Sequence, residues 1–122
     1  MVKMIIEKTG NSIVWEKTRL LIANIYSLFE ENKDDGFKNQ LKLASDSIMF
    51  NMTECFERNN NIEYRFFLYK TECSCIELRS ILINANEQKK IKISEFQSLV
   101  LLTIEISKIL LGLIKNCLTN KI

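Results

Sequence analysis

The amino-acid sequence predicts an all-α protein, an antiparallel up-and-down four-helix bundle, on three observations. Its 122 residues include no proline and only three glycines, Gly10, Gly36 and Gly112, whereas sheet-rich folds lean on those two residues for their many turns. Apolar residues recur at three- and four-residue steps through four stretches of similar length, which is the helical period. Short polar links separate the stretches, so consecutive helices must fold back on one another. With 47% hydrophobic and 26% charged residues, the chain suits one domain able to sustain its own core. That domain is expected over residues 13–118, between an N-terminal extension at 1–12 and a C-terminal tail at 119–122.

The first helix is expected from Ile13 to Glu31, with Val14, Thr18, Leu21, Ile22, Ile25, Leu28 and Phe29 on its inner face and Asn11 or Ser12 as its cap. Asn32 to Gly36 reads as a turn. The second helix follows from Phe37 to Arg58 and stops at the run Asn59-Asn60-Asn61. Asn60 with Glu63 resembles a capping box that opens the third helix. That helix continues to Asn84, with Ile62, Phe66, Tyr69, Cys73 and Ile76 assigned to its core face. A link from Ala85 to Ile93 carries Lys89, Lys90 and Lys92. Ser94 with Gln97 forms a second box, and the fourth helix runs from there to Cys117.

The fourth helix is apolar nearly all round, from Leu99 through Ile114. Glu105 and Lys108 interrupt that run, and it is shorter than the twenty or so residues of a membrane span, so a buried helix and no membrane contact are expected. A bundle helix keeps an outer face, and apolar residues in excess of one stripe point to self-association. No signal peptide is visible, and a cytoplasmic location is expected. Cys55, Cys73, Cys75 and Cys117 match no zinc spacing and are read as small buried hydrophobes.

The second helix holds the most informative pattern. Gln40, Ser47, Asn51, Glu54 and Arg58 fall on one line of it, inside an otherwise apolar face. Buried polar groups cost free energy unless hydrogen-bonded, so the stripe marks a partner. The third helix offers a matching line of Glu63, Lys70, Ser74 and Glu77. In the structural reading, Ser47, Asn51 and Glu54 bond across the bundle or to another subunit, and Glu54 pairs with Arg58 four residues on. In the functional reading, Arg58 and Lys42 contact an anionic ligand that Asn51 orients.

Catalysis is not expected. The chain has no histidine, which removes the usual general base and every Ser-His or Cys-His arrangement. Glu54 and Glu77 are expected to face inward, but the Glu-x-x-His motifs of di-metal bundles are missing, so no metal or cofactor is assigned. The net charge of +2 permits nucleic-acid contact without arguing for it. The basic residues assigned to such contact are Lys42, Arg58, Lys89, Lys90 and Lys92. Trp15 and the aromatics Tyr64, Phe66, Phe67 and Tyr69 are read as packing residues.

Several of these residues together carry a resemblance. Val14-Trp15-Glu16-Lys17, Gln40-Leu41-Lys42, Ser47-Ile48, Asn51, Glu54 and Phe56-Glu57-Arg58, with Glu63, Phe66-Phe67-Leu68-Tyr69, Ser74, Glu77 and Leu78, resemble the bacterial four-helix bundle proteins encoded in intervening sequences of 23S ribosomal RNA genes. The resemblance spans Ile13 to about Leu118. It implies a small, cytoplasmic, non-enzymatic homopentamer for which RNA or other nucleic acid is the suspected ligand. A related fold serves as the accessory protein of diversity-generating retroelements, which implies a reverse transcriptase as the alternative partner. This chain departs from the family pattern at Leu43, where a second basic residue is usual, and at Met49, Thr53, Cys55 and Cys73, where proline, alanine, glycine and glycine are common.

Overall fold

A computed structural model describes residues 11–120, with side chains from 13 to 119. Among the described residues the fold comprises four α-helices: α1 (Asn11–Glu31), α2 (Asp35–Phe56), α3 (Asn61–Glu87) and α4 (Ile93–Asn120). Consecutive helices pack on one another and α4 closes against α1, so the helices stand as the four corners of a bundle. No strand occurs among the described residues. The expected caps Asn11 and Ser12 of α1 have side chains outside the described residues.

The core is aliphatic. Leu21, Ile25, Leu41, Ile48, Met52, Leu68, Leu78, Leu82, Ile106 and Leu110 are all buried, and Phe56 closes one end beneath Trp15, ring centroids 6.2 Å apart. On α1 the expected inner residues Val14, Thr18, Leu21, Ile25 and Leu28 are buried. The Thr18 hydroxyl is satisfied by the Val14 carbonyl at 2.8 Å, and Thr71 donates to the Phe67 carbonyl at 2.7 Å.

Local chemistry fixes the helix ends. Asp34 accepts the Phe37 N–H at 3.0 Å, so α2 starts at Asp35, two residues before the expected Phe37, and it ends at Phe56 with Arg58 beyond it. Asn60 accepts from the Ile62 and Glu63 amides and caps α3. That helix continues to Glu87, three residues past Asn84, because Ala85 is buried against the core and belongs to the helix rather than to the link. Its end is a Schellman arrangement: the Lys90 N–H returns to the Ala85 carbonyl and the Lys89 N–H to Asn86. The left-handed residue this demands is Lys89, at φ 57°, where glycine is usual. The Ser94 box is not made. Helix α4 begins at Ile93, which puts Ser94 inside the first turn, and Glu95 accepts the Lys92 N–H at 3.2 Å instead. At the other end α4 extends to Asn120 and takes in the first residues of the expected tail.

One face of α3 is the reverse of the expectation. Leu68, Thr71, Cys75, Leu78, Leu82 and Ala85 form its core face, while Ile62, Phe66, Tyr69, Cys73 and Ile76 point outward. Ile62 is 68% exposed and Phe66 55%. Two apolar stripes share this helix, and periodicity alone does not say which one the bundle takes.

Candidate interaction surfaces

The polar stripe of α2 lies along its border with α3. Ser47 and Ser74 meet across that border, their hydroxyls 2.7 Å apart, and Ser74 also donates to the Lys70 carbonyl. Asn51, 6% exposed, turns back on its own helix: its Nδ2 donates to the Ser47 carbonyl at 3.0 Å and to the Ser47 hydroxyl. Its Oδ1 is buried and accepts no hydrogen bond. Glu54 pairs with Arg58 at 2.9 Å, within one helical step rather than across the bundle. Gln40 is exposed. Only Ser47 therefore bridges to the line expected on α3.

Above this border an open groove runs between α2 and α3. Asn51, Ser47 and Ser74 form its floor, and Phe50, Phe66 and Tyr69 form its walls. Phe50 is exposed, and the Lys70 ammonium leans over the Phe66 ring, 5.4 Å from its centroid. Cys73 opens into the same groove and is exposed, contrary to the expectation of a buried thiol. The other three cysteines are buried, and desolvation pushes each thiol above its ordinary range. Glu77 also lies exposed on the groove. With Glu54 held by Arg58, the expected pair of inward carboxylates does not form. Among the described residues, no group of three or more Cys, Asp and Glu side chains is placed to hold a metal ion.

The five assigned basic residues do not converge. Arg58 sits at the end of the bundle where α2 turns into α3, and Lys89, Lys90 and Lys92 sit where α3 turns into α4. The intervening length of α3, at 1.5 Å per residue, separates these ends by roughly 40 Å. Three of the five are also engaged within the chain. Arg58 holds Glu54 and stacks over Phe67 at 5.1 Å; Lys42 pairs with Asp46 at 2.7 Å; Lys90 pairs with Asp34 at 2.9 Å and lies over Phe37. The bond to Asp46 raises the Lys42 pKa. The Phe37 amide, with Lys90, holds the Asp34 carboxyl below its usual value. Lys89 and Lys92 are exposed and make no ion pair among the described residues.

A second polar cluster, unassigned from the sequence, ties α3 to α4. Arg79 donates from Nε to the Thr103 hydroxyl at 3.0 Å, and from Nη2 to the Thr103 carbonyl at 3.0 Å and to the Ser107 hydroxyl. The Cys75 thiol donates to that same carbonyl at 3.4 Å. Thr103 and Ser107, four apart within the apolar run of the fourth helix, were the available signal: a one-turn polar pair on a buried face needs a donor from a neighbouring helix.

Four antiparallel helices with polar seams at α2–α3 and α3–α4, and with apolar side chains left on the outside, define a small helical-bundle protein. The family model of the 23S rRNA-intervening sequence protein matches residues 10–112. The chain belongs to that family. No curated protein and no solved structure matches it. Of the departures from the family pattern, Leu43 and Cys73 lie on the exposed surface, whereas Cys55 is buried and donates to the Tyr64 carbonyl at 3.4 Å.

Proposed function

We propose that this protein is a non-enzymatic, cytoplasmic, self-assembling binding protein, a homopentamer as the family likeness implies, and that its ligand is RNA or another nucleic acid held through phosphates. The observation that carries the ligand is the placement of Lys89 and Lys92, both exposed, both without an ion pair among the described residues, at one end of the bundle. One copy presents too few cations there to hold a polyanion. Copies standing side by side bring every such end to one rim, and phosphate binding strengthens with each charge that converges. The apolar outer faces of α3 and α4 support the assembly itself. Helix α4 is long and apolar enough, by length and composition, to cross a membrane. Its line Leu99, Thr103, Ile106, Leu110 and Ile114 is instead buried against the bundle, which supports a core helix with one apolar face left over.

Binding of a structured ribosomal RNA fragment, followed across a salt series, tests the ligand. The expected result is affinity that falls steeply with salt and drops further in Lys89→Glu/Lys92→Glu. Affinity no better than for heparin, or independent of salt, overturns it. The groove between α2 and α3 favours a second reading, a scaffold that docks a protein such as a reverse transcriptase, because its exposed walls carry three aromatic rings against a single cation, Lys70.

A further inference from the structure

On its walls alone the groove between α2 and α3 suits any flat apolar group, a protein side chain included; its floor and its rim narrow the choice. Phe50, Phe66 and Tyr69 stand exposed around an open volume of about 550 Å³, the size of a small-molecule site. Phe66 sits edge-on to Phe67, ring centroids 5.2 Å apart, so its plane is set before anything binds. On the floor, Asn51 commits its Nδ2 to the Ser47 carbonyl and hydroxyl, which fixes the amide and leaves Oδ1 without a donor. A buried acceptor left empty costs free energy that an incoming N–H would recover. At the rim, Lys70 is exposed and makes no ion pair among the described residues. Its ammonium stands 5.4 Å from the Phe66 centroid, which puts a cation beside a ring.

We infer that this groove takes an unpaired base of a single-stranded RNA segment, one that carries an exocyclic amine. The ring stacks on the aromatic walls, the amine donates to Asn51 Oδ1, and the phosphate meets Lys70. The inference rests on the nucleic-acid reading above and adds, to the phosphate contacts of Lys89 and Lys92, a site that reads the base. A flat ring, a projecting donor and an anion belong to one nucleotide, whereas a protein would bring them on separate side chains. Because Oδ1 lies below the floor, the donor has to project from its ring. Adenine and cytosine present such an amine; uracil presents a carbonyl oxygen in its place, which Oδ1 repels. Glu77, seven residues on from Lys70 and so about 10 Å further along α3, also lines the groove and turns phosphate away from that end. Self-assembly leaves room for the site. Phe66, Lys70 and Glu77 lie on the side of α3 where Ser74 meets α2, while Ile76 and Ile83 lie on the side where Arg79 meets α4.

The test titrates the full chain with fluorescently labelled single-stranded RNA and follows anisotropy. Cytosine and uracil have rings of equal size, and oligocytidine is expected to bind about three- to tenfold tighter than oligouridine. Replacing cytidine by N4,N4-dimethylcytidine removes the donors and leaves the protein untouched; affinity is expected to fall to that of oligouridine. Phe66→Leu, at an exposed ring, is expected to weaken oligocytidine binding by about tenfold. Lys70→Gln is expected to lower the slope of log affinity against log salt by about 0.7. Equal affinity for the two RNAs, or indifference to both dimethylation and Phe66→Leu, overturns the base site. If binding in that case still weakens with salt and in Lys89→Glu/Lys92→Glu, the nucleic-acid reading stands and the groove passes to the protein partner of the second reading. No binding of either RNA overturns that reading and the base site with it.

Discussion

At the scale of single residues, the ends of the helices are where physical chemistry can be read most directly. Lys89 holds a left-handed backbone conformation that a side chain disfavours by about 1–2 kcal/mol relative to the right-handed region. Glycine relieves that strain but loses some of the gain to the greater freedom of its unfolded chain. Lys89→Gly is therefore expected to stabilise the fold by roughly 0.5–1 kcal/mol in denaturant unfolding. A loss of stability would mean that the Lys89 side chain makes a contact that outweighs the strain. Asp34 gives a pH prediction. Its folded pKa is depressed below the ordinary 3.8, first by the Phe37 amide and then by Lys90. The stability this contributes is present above the unfolded pKa and is lost as pH falls through the lower folded value. Asn at this position still caps α2 but carries no charge. Asp34→Asn is expected to lower stability near neutral pH and to converge with the parent chain on acidification through that window. Parallel curves across the acid limb would remove Asp34 from the account.

At the scale of the elements, the α3–α4 seam and the α2–α3 border behave differently. Arg79 ties α3 to α4 through Thr103 and Ser107, and a hydrogen bond to a charged group contributes more than a neutral one. Arg79→Met keeps most of the side-chain bulk and removes the donors, and is expected to cost about 1–3 kcal/mol. A double-mutant cycle with Ser107→Ala should show coupling between the two positions; strict additivity would mean that the bond to Ser107 does not hold the seam. The α2–α3 border carries the Ser47–Ser74 bond and the Cys55 thiol's bond to the Tyr64 carbonyl, and leaves the Asn51 carbonyl unused. The helices themselves were legible in the sequence because period, caps and breakers agreed, and Asn60 is the clearest case. The outward stripe of α3 was not legible as such. Ile62, Phe66 and Tyr69 recur at helical steps just as Leu68, Cys75 and Leu82 do, and only the positions of α2 and α4 decide which set is inside. Arg79 went unassigned because its partners lie 24 and 28 residues further along the chain, at a spacing that no local pattern marks.

At the scale of the whole molecule, the chain folds as a bundle and then leaves two long apolar seams uncovered. That arrangement supports the self-assembly proposed above. The expectation that α4 is too apolar for one bundle came from apolar residues in excess of one helical stripe, and the structure places Leu101, Leu111 and Leu118 on its outer face. Candidate ligand residues were less legible, because charge in a sequence does not reveal pairing. Lys42, Arg58 and Lys90 each hold a carboxylate within the chain, which leaves Lys89 and Lys92 as the two of the five assigned cations without an ion pair among the described residues. Their usefulness depends on assembly, as does the role of the α3 and α4 seams. The most direct test is the mass of the full chain in solution by light scattering. The account predicts an integral multiple of 14.3 kDa, fivefold for the pentamer. A single-chain mass that persists at high protein concentration would contradict it.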